Sequence, residues 1–269
     1  MLALMRYGAG LPMYRMDQWQ TYLGVPLAAS TQWELIKASS RTPELVYEAL
    51  IVWGAQGQII YSDDTTMRVQ SLRREIVAEP EDTQRRTGIF TTSIVVRIGQ
   101  NQIALFFTGR NHAGENLDRL LKNRAAELPA PIHMCDALSR NQPQGVKTIS
   151  CNCLLHGRRN FLEVLESFPQ ECKKVVLSLR EVYRWEALAK KRQFSDEERL
   201  AFHQAHSGPV MQELQQWMND QLEQKKVQPN SGLGEAIRYM TKHWKSLTRF
   251  LEVPGAPLDN IHGVINNAA

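Results

Sequence analysis

A chain of 269 residues has the length to bury a substantial core, and falls between one large domain and two ordinary ones. Its 43% hydrophobic and 22% charged residues are the make-up of a globular protein and argue against disorder, and the net charge of +4 permits a polyanionic partner without demanding one. No apolar run reaches the roughly 18 residues that span a bilayer, which argues against membrane insertion. Four cysteines at 135, 151, 153 and 172 lack framework spacing, and the start of the chain lacks a secretory pattern, so a reducing cytoplasm is expected.

Residues 1–50 read as a helical arm, with Asp17 and Ser30 as candidate N-caps. The period then changes. Residues 48–62, 88–98 and 102–108 are rich in Ile, Val, Phe and Thr, and Gly99-Gln100-Asn101 is a hairpin signal, so three antiparallel strands are expected. Residues 112–128 place Leu117, Leu120, Leu121 and Leu128 at helical spacing before Pro129 and Pro131 close the element. Two further short strands follow, within 131–138 and 146–155. From about 170 the chain reads as successive helices: 173–191, then 195–206 with a Ser195/Glu198 capping box, then 209–224, then 231–252. Runs of strands followed by mixed crossover elements predict an α+β or α/β sheet with helices packed on it. Trp185, Trp217 and Trp244, at three- and four-residue spacing from Leu and Met, read as core.

The carboxylates carry the chemistry. Asp63 and Asp64 end one strand and Asp136 ends another. If those strands are neighbours, two of these acids meet at one sheet edge, where they repel each other unless a cation sits between them. Oxygen ligands of this kind suit Mg²⁺, and two such metals can drive phosphoryl transfer. Adjacent strand residues face opposite sides, so Asp63 and Asp64 cannot both serve; the other caps or faces solvent. Cys153 and His156 show one half of a zinc pattern, for which packing is the simpler reading. Arg158 and Arg159 open a helix and could meet phosphates, or pair with Glu163.

Several segments in order resemble a known family. Residues 10–16 (GLPMYRM), 23–31 (LGVPLAAST), 62–69 (SDDTTMRV), 151–161 (CNCLLHGRRNF), 182–218, 230–252 and 257–260 (PLDN) are similar to the transposases of bacterial insertion sequence family sixty-six. The resemblance covers roughly residues 5–260. It implies an RNase H-like core at 51–163, a large helical insertion at 164–252 and a remnant of the final core helix at 253–269, behind the helical arm at 1–50. It further implies a DNA transposase using Mg²⁺ or Mn²⁺, DNA as partner, and self-association. Carried over by position, Asp63 is the first acid of an Asp, Asp, Glu triad and Asp136 the second, although Ala137-Leu138 departs from the family's usual Gly-Tyr. Asp64 stands where the family usually has Glu. At the place of the triad Glu stands Val264, and Asp259 lies about 7 Å away along a helix, too far to replace it. The divergence after Asn260 and the missing upstream DNA-binding segment read as truncation at both ends. The expectation is therefore a transposase fragment with impaired cleavage, against which stand a catalytically dead DNA-binding or dimerising fragment that interferes with intact copies, and a poorly folding product.

Overall fold

The computed structural model describes residues 1–78 and 86–261 and divides into two compact units, Met1–Trp53 and Gly54–Ala269. The first unit holds a π-helical turn, Leu4–Gly8, then α1 (Met13–Tyr22), α2 (Ala29–Ser39) and nearly all of α3 (Arg41–Gly54). Neither expected N-cap caps. Helix α1 starts directly after Pro12, whose φ of −62° suits a helix entrance, so Asp17 lies inside it, and α2 starts after Ala28. The buried Gln32 side-chain amide ties the two together, donating to the Leu27 carbonyl (2.7 Å) and to Gln20 Oε1 (3.3 Å). The strand expected from residue 48 is also corrected: 48–54 finishes α3. Short apolar runs do not separate helix from strand by period, and Glu48, Ala49 and Leu50 are good helix formers.

The second unit is built on a five-stranded sheet of β1 (Ile59–Thr66), β2 (Phe90–Ile98), β3 (Asn101–Gly109), β4 (Ile132–Cys135) and β5 (Ile149–Asn152), in the order β3-β2-β1-β4-β5. Strand β2 runs antiparallel to both β1 and β3, whereas β4 runs parallel to β1 and β5 parallel to β4. Gly99, at φ +56°, makes the tight β2–β3 turn in a conformation that side chains other than glycine's rarely take. Helix α4 (Gln70–Ala78) follows β1 and is not evident from the sequence.

Strand pleating sorts the core onto two faces. Ile60, Ile94, Val96, Ile103 and Leu105 are buried on the side of α5 (Ala113–Leu121), which packs on β1 and β2 and contributes the buried Leu117, Leu120 and Leu121. That helix ends seven residues before Leu128, which is exposed, because Arg124 turns back to donate to the carbonyls of Ala55, Gly57 and Pro129. Ile59, Tyr61, Val95, Ile132 and Met134 face the other way, into a cluster completed by α6 (Leu154–Glu163), α7 (Pro169–Lys191), α8 (Asp196–Glu223), α9 (Gly232–Lys242) and α10 (Trp244–Leu247). Cys151, Cys153 and Cys172 are buried in that cluster, and burial pushes the Cys151 thiol up to about 12. Trp217 and Trp244 pack against it, and Trp185 stacks on His206 at 4.6 Å.

The predicted capping box forms: Ser195 Oγ accepts the Glu198 N–H, and Glu198 Oε2 accepts that of Ser195. The two helices expected at 195–206 and 209–224 are in fact one, α8, running through Pro209. Pro209 and Ala205 are both exposed, so the carbonyl that the ring cannot bond meets water. Between α7 and α8 lies an ionic knot. Glu186 accepts from Arg199 Nε and Nη2 (2.8 and 3.0 Å) and from His203 Nε2 (2.9 Å), while His203 Nδ1 meets Ser207 Oγ (2.8 Å). Burial raises the Glu186 carboxyl, but His203, Arg199 and Lys190 outweigh it and hold the group well below the usual carboxylate range. The Ser207–His203–Glu186 line has the connectivity of a nucleophile relay. His203 and Ser207 are both 0% exposed, so no substrate reaches it and the knot is a clamp. Arg199 extends the clamp by donating to the Ala256 carbonyl (3.1 Å). Among the described residues no helix is long and apolar enough to cross a membrane.

Candidate functional site

Strand β1 is buried from Ile59 to Ser62 and emerges at Asp63 and Asp64. Its parallel ladder with β4 pairs Ile59 with Ile132 and Tyr61 with Met134. Two residues further on, the same register sets Asp63 beside Asp136, on strands about 5 Å apart. Tyr61 and Met134 both face the helical cluster, and the alternation of the pleat sends Asp63 and Asp136 to that same side.

Asp64 goes to the opposite face and is fully used there. Its Oδ1 accepts from Thr92 Oγ1 (2.6 Å), and its Oδ2 accepts the Ala113 N–H (3.0 Å) and meets His112 Nδ1 (3.2 Å). Asn116 donates in turn to Thr92 (2.8 Å). Asp64 thus anchors the N-terminus of α5, the capping role expected for whichever acid of the pair is not a ligand.

Asp63 is half-buried, and its recorded hydrogen bond is to the N–H of Asp64 (3.0 Å). Burial raises its pKa first, the Asp64 N–H opposes that, and the neighbouring Asp136 charge raises it further. His156, the histidine of the Cys153/His156 segment, is close enough to pull the other way. Asp136 is oriented more firmly: its Oδ1 accepts the Leu138 N–H (3.1 Å) and the Asn141 side-chain amide (2.6 Å), and its carbonyl accepts from Asn152 (3.1 Å). Asn141 is buried on the 3-10 turn Ser139–Asn141. Tyr239 of α9 stands beside Asp136, and burial, with that charge, pushes its phenol up to about 12.

Among the described residues, no lysine or arginine pairs with Asp63 or Asp136. Two hard oxygen donors that repel each other at a partly solvated edge fit a divalent cation of the Mg²⁺ type. No group of three or more His, Cys, Asp or Glu gathers as a metal cage among the described residues. Val264, at the expected place of the third acid, lies outside the described residues. Asp259 does not join the pair; it opens onto a cavity of about 210 Å³ with Tyr61, Arg97, Lys190 and Arg199. Its neighbour Asn260 is buried beside β1, donating its side-chain amide to the Ser62 carbonyl (3.0 Å) and its N–H to Cys153 Sγ (3.4 Å).

Arg158 and Arg159 do not open a helix as expected: α6 starts at Leu154, so they stand mid-helix, half-buried and exposed respectively, and among the described residues neither pairs with Glu163. Asn141, Asn260 and Tyr239 do not stand out in the sequence as site residues. Asn141 offers a faint signal as a turn former five residues past Asp136, Asn260 closes the family-like segment 257–260, and Tyr239 offers none.

Beneath the acids, on the α5 side, His133 Nε2 meets Ser62 Oγ (2.8 Å) in a fully buried contact, and burial lowers the histidine to about 4. At neutral pH it is therefore uncharged.

The family model described as "Transposase IS66 family" matches residues 1–262. A protein of Sinorhizobium fredii (strain NBRC 101917 / NGR234), described as "Uncharacterized protein y4jD", is 34% identical over 101 residues, which are 37% of this chain and 19% of that relative. The match thus spans about a fifth of the relative's length.

Proposed function

The chain belongs to the IS66 family of transposases, and from that premise we propose that its sheet is an RNase H-like catalytic core acting on DNA phosphodiesters, with the helices after residue 164 as an insertion in it. The observation that carries this reading is the register that sets Asp63, where β1 leaves its parallel ladder with β4, beside Asp136 just past β4, facing one side, with no Lys or Arg paired to either among the described residues. The sheet order supports it, three antiparallel strands continued by two parallel ones. So does Asn260, which ties the segment after the insertion to β1 beside Asp63.

In this reading Asp63 and Asp136 hold Mg²⁺ or Mn²⁺, which when bound supplies Lewis-acid stabilisation and an activated oxygen nucleophile. The chain's own contribution is orientation. Asn141 and the Leu138 N–H fix one oxygen of Asp136 and leave the other open, Asp64 keeps the β1 end rigid by anchoring α5, and the unpaired Arg158 and Arg159 are placed for phosphates.

The family resemblance puts the third acid at position 264, where this chain has valine, so strand cleavage is proposed to be absent or severely reduced. The test is cleavage of element-end DNA with Mg²⁺ or Mn²⁺. The chain as it stands is expected to cut at background level and Val264→Glu to raise cutting; robust Asp63-dependent cutting by the unmodified chain overturns the impaired-copy reading. A second reading, a non-cutting fragment that associates with intact copies, is favoured by the apolar stripe on α3. Leu45, Val46, Val52 and Trp53 are all exposed there, at helical spacing. Sedimentation of the chain alone and mixed with an intact family member tests it.

A further inference from the structure

Helix α7 is 23 residues long and carries an uneven charge. Residues 169–192 hold seven Lys or Arg and three Glu, a net +4 that equals the net charge of the whole chain, so the remaining residues are balanced. The excess is not scattered. At 3.6 residues per turn, Arg180, Arg184 and Lys191 all fall within about 20° of Lys173 around the helix axis. All four are exposed, and none makes an ion pair among the described residues. Leu177 and Ala187 complete the stripe. Of the three acids of α7, Glu171 lies about 160° around the helix from Lys173, Glu186 is locked in the buried knot, and Glu181, about 80° around, flanks the stripe where it borders a groove with Arg180 and Arg184. Glu213 of α8, which borders the groove beside the stripe, is taken by Lys174 at 2.8 Å.

A solvated helix normally alternates signs at three- and four-residue spacing, since like charges there repel. A single-sign row is instead the footprint of a polyanion. We infer that this face of α7 is a contact surface for the phosphate backbone of duplex nucleic acid, separate from the strand-end carboxylates. Lys173 to Lys191 spans about 27 Å, or roughly eight base pairs of B-form duplex. The stripe contains no aromatic residue, and a single strand would need rings on which to stack its bases. Of the aromatic residues on α7, Tyr183 packs against the helical cluster and Trp185 is stacked on His206. Cations engaged on phosphates position the duplex and carry no sequence information of their own.

This inference rests on the transposase reading, and the test separates the two. The full chain is titrated with a fluorescent duplex of about 30 base pairs across a range of KCl concentrations, alongside the combined variant Lys173→Ala, Arg180→Ala, Arg184→Ala and Lys191→Ala. The four side chains are exposed and unpaired, so the variant is expected to melt with the parent. Its binding should weaken, and its log–log salt slope should be shallower by about 3 to 4, at roughly 0.9 for each phosphate no longer neutralised. A version keeping the charges, with Arg180→Lys and Arg184→Lys, should retain the parental slope. If the parent binds duplex and the alanine variant binds with the same slope, the α7 surface is overturned while the transposase reading stands. If the variant loses affinity for a single strand as much as for duplex, the duplex assignment is overturned. If the parent binds no DNA, both readings fail, and an acidic protein is left as the partner of the stripe.

Discussion

Asp63→Asn is the substitution that most directly tests the paired-acid geometry. In the absence of metal, Asp63 and Asp136 stand side by side on strands about 5 Å apart, and two unit charges at that distance repel by about 1–3 kcal/mol for effective dielectrics between water and a protein surface. Because Asp63 is only half-buried, solvent screening puts the figure toward the lower end, about 1–2 kcal/mol. Neutralising it should therefore stabilise the metal-free protein, raising its melting temperature by about 2–6 °C at neutral pH. Divalent cation should reverse the order, because Mg²⁺ binds the folded parent and finds only one charged carboxylate in the variant. The pH sign follows from the raised pKa of Asp63. A carboxyl whose folded pKa lies above its unfolded value costs stability as pH rises through that window, so the gap between parent and variant in EDTA should narrow on acidification. The assay is thermal melting of both proteins in EDTA and in Mg²⁺, at two pH values. A variant that melts at or below the parent in EDTA, or that Mg²⁺ protects equally, refutes the pairing.

The other predictions concern the scaffold. His133, lowered to about 4 by burial, binds its proton more readily when unfolded, so stability should fall as pH drops from about 6.5 toward 4, by about 3 kcal/mol in total. Urea titrations of the parent and of His133→Gln at pH 7 and pH 5 should show a smaller acid loss in the variant, and equal losses would contradict it. Asp64→Ala strips the α5 anchor and leaves Thr92 and the Ala113 N–H short of a partner. It should cost about 1–3 kcal/mol in denaturant titrations, and an unchanged midpoint would show that this anchor does not hold α5. Glu186→Gln leaves Arg199 buried against a neutral group and should cost about 3–5 kcal/mol; a melting temperature unchanged from the parent would show that the knot does not hold α7 to α8.

The fold is legible where local chemistry is strong. The Gly99 hairpin, the Ser195 capping box, the leucine face of α5 and the place of Asp136 just past β4 all follow from spacing and residue type, whereas Asp63 and Asp64, expected to end their strand, lie inside β1, which pairs with β2 as far as Thr66. Local reading fails where signals compete. The apolar run from residue 48 reads as strand although its Glu-Ala-Leu start favours helix, and Pro209 reads as a boundary although its freed carbonyl faces water.

What the sequence by itself determined is the set of chemical groups available: acids on two strands of one sheet, a histidine and two arginines on one helix, and a long basic helix. Tertiary structure decided which of them meet. The β1–β4 register joins Asp63 to Asp136, and packing against α5 makes Asp64 an anchor instead of a ligand. Only the folded chain brings Asn260 to Ser62, 198 positions apart. Contacts at such separations depend on how strands order and helices pack, which no local preference encodes, because the free energy that selects them is the burial of the whole core.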